Sequence, residues 1–304
     1  MAEQVAQPAG TRSPAGTAGT QPAGVIHDIG YRGYDGPRLG RAYALQSLFT
    51  QSLRGAWGIG RGAKAKLVPF GMLALVLLPA LVWSAVGNQL NRRLVEYVDF
   101  PITLQMPIII FLAAQSVELL SRDLRFTVLP LYFSRPLRRD DYVWAKLAAM
   151  SAALAMLMIA PIVLAYLVAA FDGNNDTTVW DETTAAFGGV LTSLLHAVVL
   201  AALALVIAAF AAKRVYTIGA IVALFLISSV VSGIVEGLSE NENSELAGLL
   251  TPFRLLAGTF AWLRGRQTEL SQIGGSGWLY GLTTAALLTL CVGLLRARYR
   301  RIGR

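Results

Sequence analysis

The side chains that could support catalysis within this chain are a histidine and a group of serines, all in apolar surroundings. His196 lies in one long apolar run, and Ser228, Ser229 and Ser232 lie in the next one. A serine beside a histidine can act as a nucleophile that is activated by a general base. An intramembrane serine protease needs a G-x-S motif before its histidine, whereas here the order is reversed and the motif is missing. We therefore favour polar contacts between helices over catalysis.

Nucleotide, metal and proton chemistry are also poorly supported. The segment "GIGRGAKAK" at 58–66 is rich in glycine, but it lacks the G-x-x-x-x-G-K-[ST] spacing of a phosphate-binding loop. Two histidines and the single Cys291 argue against a metal site. Glu118 is the one carboxylate close to the interior of an apolar run. Because Arg122 follows it at i+4, the spacing favours an ion pair over a proton relay.

The composition indicates a membrane protein rather than a soluble enzyme. Of 304 residues, 55% are hydrophobic and only 14% are charged, against about 25% charged residues in soluble domains. The mean hydropathy is +0.55. A helix needs roughly 20 apolar residues to cross a bilayer. Runs without Asp, Glu, Lys or Arg predict an all-α protein with six transmembrane helices, at about 67–88, 100–120, 147–171, 185–212, 215–235 and 275–296.

The basic residues predict the orientation of these six helices. Of the 26 Lys and Arg residues, 21 lie in alternate segments that must share one face of the membrane, while the other face is rich in acids. Positive charge accumulates on the cytoplasmic side, so both termini are predicted to be cytoplasmic. The net charge of +8 then reflects topology and lipid contact, and we do not expect nucleic-acid binding.

Two further segments precede the first predicted span. Residues 1–24 contain mainly Ala, Gly, Pro, Thr and Gln and are predicted to form a disordered tail. Residues 25–66 form a cytoplasmic leader, in which apolar residues recur at helical spacing between Arg41 and Trp57. This pattern predicts an amphipathic helix lying at the cytoplasmic membrane interface. A helix continuous with the first span is the alternative, although Gly58, Gly60 and Gly62 interrupt it.

The cytoplasmic segment 121–146 mixes charges with apolar and aromatic residues, as in its second part "LPLYFSRPLRRDDYVWAK". Such a pattern predicts short amphipathic helices that can dock on a partner protein. The alternative is that its arginines serve only topology and contact with lipid headgroups.

A basic N-terminal interfacial helix, six spans and this second-to-third loop resemble the membrane subunits of type-2 ABC exporters. The resemblance covers about residues 30–300 and includes the Ser134–Leu137 tetrad "SRPL" followed by Arg138, Arg139 and Tyr142. It implies a permease of the bacterial cell membrane, with both termini cytoplasmic. The implied partners are two copies of an ABC ATPase and a second permease subunit, identical or homologous. ATP and Mg²⁺ would be bound by the partner ATPase, and no cofactor by this chain.

The resemblance also implies roles for particular residues. The coupling loop that contacts the ATPase would be 121–146, and a smaller contact is expected at the second cytoplasmic turn. Possible pathway residues lie in the second and fifth spans. The coupling candidates are Arg122, Asp123, Arg125, Arg135, Arg138, Arg139, Asp140 and Asp141; the turn contributes Lys213 and Arg214; and the pathway candidates are Gln105, Gln115, Ser228, Ser229 and Ser232.

The remaining segments complete the predicted organisation. Residues 246–265 are apolar but interrupted by Thr251, Pro252, Arg254 and Gly258, which favours a re-entrant segment on the outer side. A seventh span would place the arginine-rich tail 297–304 outside. Two other function classes stay open, namely a secondary transporter and a non-transporting membrane assembly or sensor protein.

Overall fold

The computed structural model describes residues 39–90, 92–121, 137–170, 178–211, 213–238, 242–268 and 275–301, with Gly36, Asp123, Tyr132, Leu270 and Ile273. The helical unit begins at Leu39. Every regular element in these residues is helical. The predicted tail 1–24 lies outside the described residues, as does most of the segment between Ser121 and Leu137.

The first two helices are separate, and a glycine-rich turn joins them. Helix α1 runs over Arg41–Ala56 and α2 over Ala63–Gln89. Gly58 in the turn has φ +65°, and a Cβ atom there would lie 2.6 Å from the carbonyl oxygen of Ala65. Only glycine meets both conditions without strain. The buried side of α1 consists of Leu48, Ser52 and Ala56, and α1 packs on a later helix that begins at Arg139.

The segment predicted as the second span is bent. It begins with a 3₁₀ turn at Tyr97–Asp99 and helix α3 at Phe100–Thr103, followed by α4 at Gln105–Ser116 and a π-helical turn at Val117–Ser121. The two halves meet at 63°. Pro107 has no N–H to donate to the Thr103 carbonyl and crowds it, which favours a break at this point.

Two long antiparallel helices form the centre of the molecule. Helix α5 spans Arg139–Ala170 and α6 spans Val179–Phe210. Helix α5 starts earlier than the predicted span at 147, so residues 139–146 of the predicted loop are helical. Asp140 and Asp141 in its first turn interact favourably with the positive end of the helix dipole. At the start of α6, the Thr178 side chain accepts a hydrogen bond from the Asp181 backbone N–H.

The last third of the described chain contains three helices and a 3₁₀ segment. Helix α7 spans Arg214–Leu238, the 3₁₀ segment spans Glu242–Leu250, α8 spans Pro252–Arg264 and α9 spans Gly277–Arg301. The break between the 3₁₀ segment and α8 falls at Thr251, before Pro252. The region predicted as re-entrant thus consists of two short helical pieces, and α8 packs on α6 and α9.

The core lies around the α5–α6 pair. Helices α1, α2 and α9 contact α5, while α4 contacts both central helices and α7 contacts α4. In the most apolar stretch of α5 and α6, 44% and 56% of residues are buried, against 17% in α2 and α7 and 22% in α9. The outer helices expose leucine, valine and isoleucine side chains, which a bilayer would cover. Within the described residues, five helices can cross a membrane, or six if the bent pair is one span.

One close approach fixes α6 against the bent segment. A Cβ atom on Gly189 would lie 2.8 Å from both the Cβ and the carbonyl oxygen of Tyr97. Real Cβ atoms do not come so close to a backbone, so the bent segment can occupy this position only because residue 189 is glycine. Small residues at helix interfaces commonly serve this purpose in membranes.

We predict that Gly189→Ala destabilises the protein by about 1–3 kcal/mol, because overpacking forces neighbouring backbone to move. The thermal midpoint of the detergent-solubilised protein measures the effect. Gly293→Ala in α9 is the matched control, since no atom lies within 4 Å of the added Cβ. Equal midpoints for the two variants would contradict the close contact.

Candidate functional site

The start of α5 is tied to the start of α1 by an ion pair. The Arg41 guanidinium binds both carboxylate oxygens of Asp141, with Nε 2.7 Å from Oδ2. The same oxygen accepts a hydrogen bond of 3.0 Å from the Arg138 backbone N–H. The hydrogen bond from Arg41, together with that from the Arg138 backbone, lowers the pKa of the Asp141 carboxyl below its ordinary value, which favours the ionised form that the pair requires. Movement of α1 at this end therefore acts directly on the start of α5.

A buried charge pair lies one to two turns further along α5. Lys146 Nζ is 2.8 Å from Asp123 Oδ2, and their side chains are only 6% and 13% exposed. The Tyr142 hydroxyl donates to the same carboxylate oxygen over 2.8 Å. A buried carboxylate needs both a counter-ion and hydrogen bonds, and Lys146 and Tyr142 supply them. Asp123 is thereby attached to α5, although it precedes that helix in the chain.

The C-terminal end of α9 joins the same cluster. Arg300 Nη2 lies 3.1 Å from Asp140 Oδ2, and Arg296 Nε lies 3.8 Å from Asp140 Oδ1. Arg139 Nη1 donates to the Arg300 carbonyl over 2.8 Å. Basic side chains near a helix C-terminus are favoured by its dipole. The first turn of α5 thus binds α1 on one side and the last turn of α9 on the other.

A fourth contact links the glycine-rich turn to the end of the bent segment. Arg61 Nη1 is 2.6 Å from Glu118 Oε2, and both side chains are about one-third exposed. The sequence favoured Arg122 as the partner of Glu118, but Arg122 lies outside the described residues. We refer to the four contacts, made by Arg41, Arg61, Glu118, Asp123, Asp140, Asp141, Lys146 and Arg300, as the end cluster.

The predicted coupling residues divide into three groups. Arg122, Arg125 and Arg135 lie outside the described residues. Asp123 and Asp141 are buried within the end cluster. Arg138 is exposed, while Arg139 and Asp140 are partly exposed. The side chains available to a partner at the start of α5 are therefore the last three, and the two buried carboxylates hold the helices that present them.

The remaining predicted residues lie in two places. Lys213 and Arg214 are both exposed at the start of α7. Gln105 and Gln115 lie on α4, which packs against α7, and Gln115 is buried. The Ser228 and Ser229 hydroxyls donate to the Phe225 carbonyl, whereas the Ser232 hydroxyl donates to the Ala247 carbonyl over 2.7 Å. The structure thus brings the second and fifth predicted spans together.

His196 is completely buried within α6. Its Nδ1 lies 2.8 Å from the Thr192 carbonyl oxygen and its Nε2 lies 3.3 Å from the Phe253 carbonyl oxygen. A histidine that faces two backbone carbonyls joins α6 to α8, which is the structural role that the sequence favoured. The serine hydroxyls of α7 donate to backbone carbonyls instead of His196.

Sequence reasoning did not identify Arg41, Lys146 or Arg300 as partners of the predicted carboxylates. The partners of Asp141 and Asp140 are 100 and 160 positions away in the chain. These basic residues lie near the ends of predicted helices, and their positions can be read from the sequence. The sequence does not show which basic residue pairs with which carboxylate.

Apolar helices long enough to cross a bilayer, with ionic clusters at their ends, define a multi-pass helical membrane protein. A sequence comparison matches residues 38–301 to the family described as "ABC-2 family transporter protein". The chain belongs to this family. It is therefore an ABC transporter permease, a membrane component that is not itself catalytic. The family resemblance seen in the sequence is confirmed. No curated protein matches the chain.

We predict that Lys146→Met destabilises the protein by about 3–5 kcal/mol, because the buried Asp123 carboxylate loses its counter-ion. The double variant Asp123→Asn/Lys146→Met should recover most of this loss, since a neutral amide needs no counter-ion. Thermal midpoints in detergent test both variants. A double variant as unstable as Lys146→Met alone would show that the pair is not the cause.

Proposed function

We propose that this chain is the permease subunit of an ATP-driven exporter and that its ATPase docks on the end cluster. The observation that carries the proposal is the meeting of α1, the start of α5 and the end of α9 at one place. The exposed Arg138 lies next to the ion pairs that hold these three helices together. A partner that pushes on this surface would displace all three helices at once.

The orientation that we propose has six spans, with the bent pair as the second span and both termini cytoplasmic. The contacts support this arrangement. Arg41–Asp141, Arg61–Glu118 and Arg300–Asp140 bring the basic segments to one end of the bundle. Arg93–Glu182 joins two segments of the opposite, acid-rich group. By the positive-inside rule the first end is cytoplasmic, and we infer a bacterial plasma membrane.

The domain organisation follows from this orientation. We propose a tail at 1–24, a leader at 25–66 that contains the interfacial helix α1, a membrane domain at 67–296 and a basic cytoplasmic tail at 297–304. The polar face of α1 includes Thr50 and Arg54, which are exposed and would face lipid headgroups and cytoplasm. The segment 246–265 would lie on the outer side as a re-entrant piece.

A second permease subunit, identical or homologous, is part of the proposal. Helices α2 and α7 bury the smallest share of their apolar stretch, so they have the largest surface to offer to lipid or to a partner helix. Two permeases that face each other would enclose a pathway, and two ATPases would bind beneath them. Gln105, Gln115, Ser228, Ser229 and Ser232 are the polar candidates for lining that pathway, which suits an amphiphilic or hydrophobic cargo.

The proposed mechanism transfers movement from the ATPase to the spans through α5. ATP and Mg²⁺ would be bound by the ATPase subunits, and this chain would hold no cofactor. Helix α5 is continuous from Arg139 to Ala170 and passes through Pro161 without a break. A tilt imposed at its first turn would therefore reach the opposite end of the bundle. Lys213 and Arg214 would form a second, smaller contact.

We expect an ATPase encoded next to this chain to co-purify with it. The double charge reversal Arg138→Glu/Arg139→Glu should weaken the complex about tenfold or more, which corresponds to 1.4 kcal/mol of contact energy. ATP turnover of the reconstituted complex should lose its dependence on the permease. Affinity capture and ATPase rates in lipid nanodiscs measure both effects.

Lys64→Glu/Lys66→Glu is the matched control, because it makes the same charge change on exposed residues at the start of α2, which is not one of the three helices that form the proposed docking surface. The control should retain the ATPase, and both double variants should still show a cooperative melting transition, with Arg138→Glu/Arg139→Glu slightly less stable because it loses the hydrogen bond to the Arg300 carbonyl. A chain that purifies without an ATPase and transports in a gradient without ATP would overturn the proposal in favour of secondary transport.

A further inference from the structure

Four of the five arginines that we assign to the outer side converge on one groove. The groove lies between the α2–α3 connection and the residues after α8, and it is lined by Arg92, Arg93, Arg264 and Arg266 with Glu96 and Asp99. Its volume is about 750 Å³, within the range of roughly 300–1,000 Å³ that is usual for small-molecule sites. The net acidity of this side of the protein conceals a local basic site.

The acidic side chains near the groove already have partners. Arg93 binds the buried Glu182 through Nη2 over 2.7 Å and approaches Glu96 at 3.6 Å. Asp99 accepts a hydrogen bond of 2.8 Å from the Thr268 hydroxyl. Among the described residues, no carboxylate forms an ion pair with Arg92, Arg264 or Arg266. Three guanidinium groups therefore remain able to bind an anion.

The Arg264 guanidinium lies close to α6 at a glycine. A Cβ atom on Gly188 would lie 3.3 Å from Arg264 Nη1. The Arg264 side chain therefore lies across α6 at this glycine and contacts the protein surface. This contact restrains a long side chain, which reduces the entropy lost when it binds a ligand.

A smaller cavity of about 80 Å³ shares the 92–95 segment with the groove. Trp83, Leu94, Phe100 and Ala165 contribute its apolar surface, and its polar surface comes from Asn88, Glu182 and the two arginines at 92 and 93 that it shares with the groove. The two sites together place an apolar recess beside a cluster of arginines. This arrangement complements a molecule that carries an anionic group next to a hydrocarbon chain.

We propose that the groove binds the phosphate or carboxylate of an anionic amphiphile and that the apolar recess receives the beginning of its chain. Arginine suits this role because its planar guanidinium forms paired hydrogen bonds with such groups. The inference rests on the proposed orientation, which places the groove at the outer leaflet. The amphiphile is either a resident lipid or the exported cargo, and its binding chemistry is the same in both cases.

The test uses the purified full chain in detergent and three probes, namely dihexanoyl phosphatidylglycerol, dihexanoyl phosphatidylcholine and inorganic phosphate. The anionic lipid should raise the melting temperature by about 5 °C at a hundredfold excess over its Kd. The zwitterionic lipid, with the same chains, should give no such shift. Inorganic phosphate should give a smaller shift, because it cannot use the recess.

Arg264→Gln/Arg266→Gln should raise the Kd for phosphatidylglycerol about tenfold or more. Arg92→Gln is a second variant that leaves the Gly188 contact intact, and it should also weaken binding. Arg254→Gln is the matched control, because Arg254 lies at the start of α8 and already pairs with Glu236 at 2.6 Å. Equal shifts with both lipids, no shift with the anionic lipid, or unchanged affinity in the double variant would overturn the proposal.

Two further measurements identify the source of the amphiphile once binding is found. A resident lipid should co-purify with the wild-type chain and be lost from Arg264→Gln/Arg266→Gln, as mass spectrometry of extracted lipids would show. A cargo should instead stimulate ATP turnover of the complex when it is added. Neither binding measurement requires an ATPase, so a failure of the groove and a failure of ATPase docking are distinguishable.

Discussion

Ionised side chains are costly in the hydrocarbon core of a bilayer, and every ion pair in the described part of the chain lies near the end of a helix. This constraint organises the whole structure. The interiors of α5 and α6 contain mainly apolar and small residues, so they can pack closely, while the charges accumulate at the two ends. There they have to find partners on other helices. The end cluster forms at one end, and the Arg93–Glu182 and Arg254–Glu236 pairs form near other helix ends.

The end cluster has a mechanical consequence. Asp140 and Asp141 are neighbours in the first turn of α5, yet they bind different helices, namely α9 and α1. The start of α5 is therefore held from two sides. Because α5 also contacts α1, α2, α6 and α9, a force applied at this end would be transmitted to several helices. Buried pairs such as Asp123–Lys146 resist separation, since an unpaired charge there is unfavourable.

The sequence predicts the helices better than it predicts their contacts. Apolar runs indicate where the long helices lie, and the glycines at 58–62 indicate the break between α1 and α2. The size of the bend at Leu104 could not be predicted, because a proline in an apolar run is compatible with a slight kink as well as with a broken span. Likewise, Asp141 could be recognised as a candidate, but its bond to Arg41 depends on how helices 100 residues apart pack. The outer groove was missed because the summed charge of that face hides a local excess of arginine.

The most direct test of the account is cross-linking from the start of α5 to the ATPase. Cys291 is buried and would be replaced by alanine, after which Arg138→Cys and Val179→Cys would each carry a thiol-to-amine cross-linker. Both positions are exposed, and they lie at opposite ends of the α5–α6 pair. We expect Arg138→Cys to form an adduct with the ATPase subunit and Val179→Cys to form none. An adduct from Val179→Cys alone, or equal adducts from both positions, would contradict this expectation.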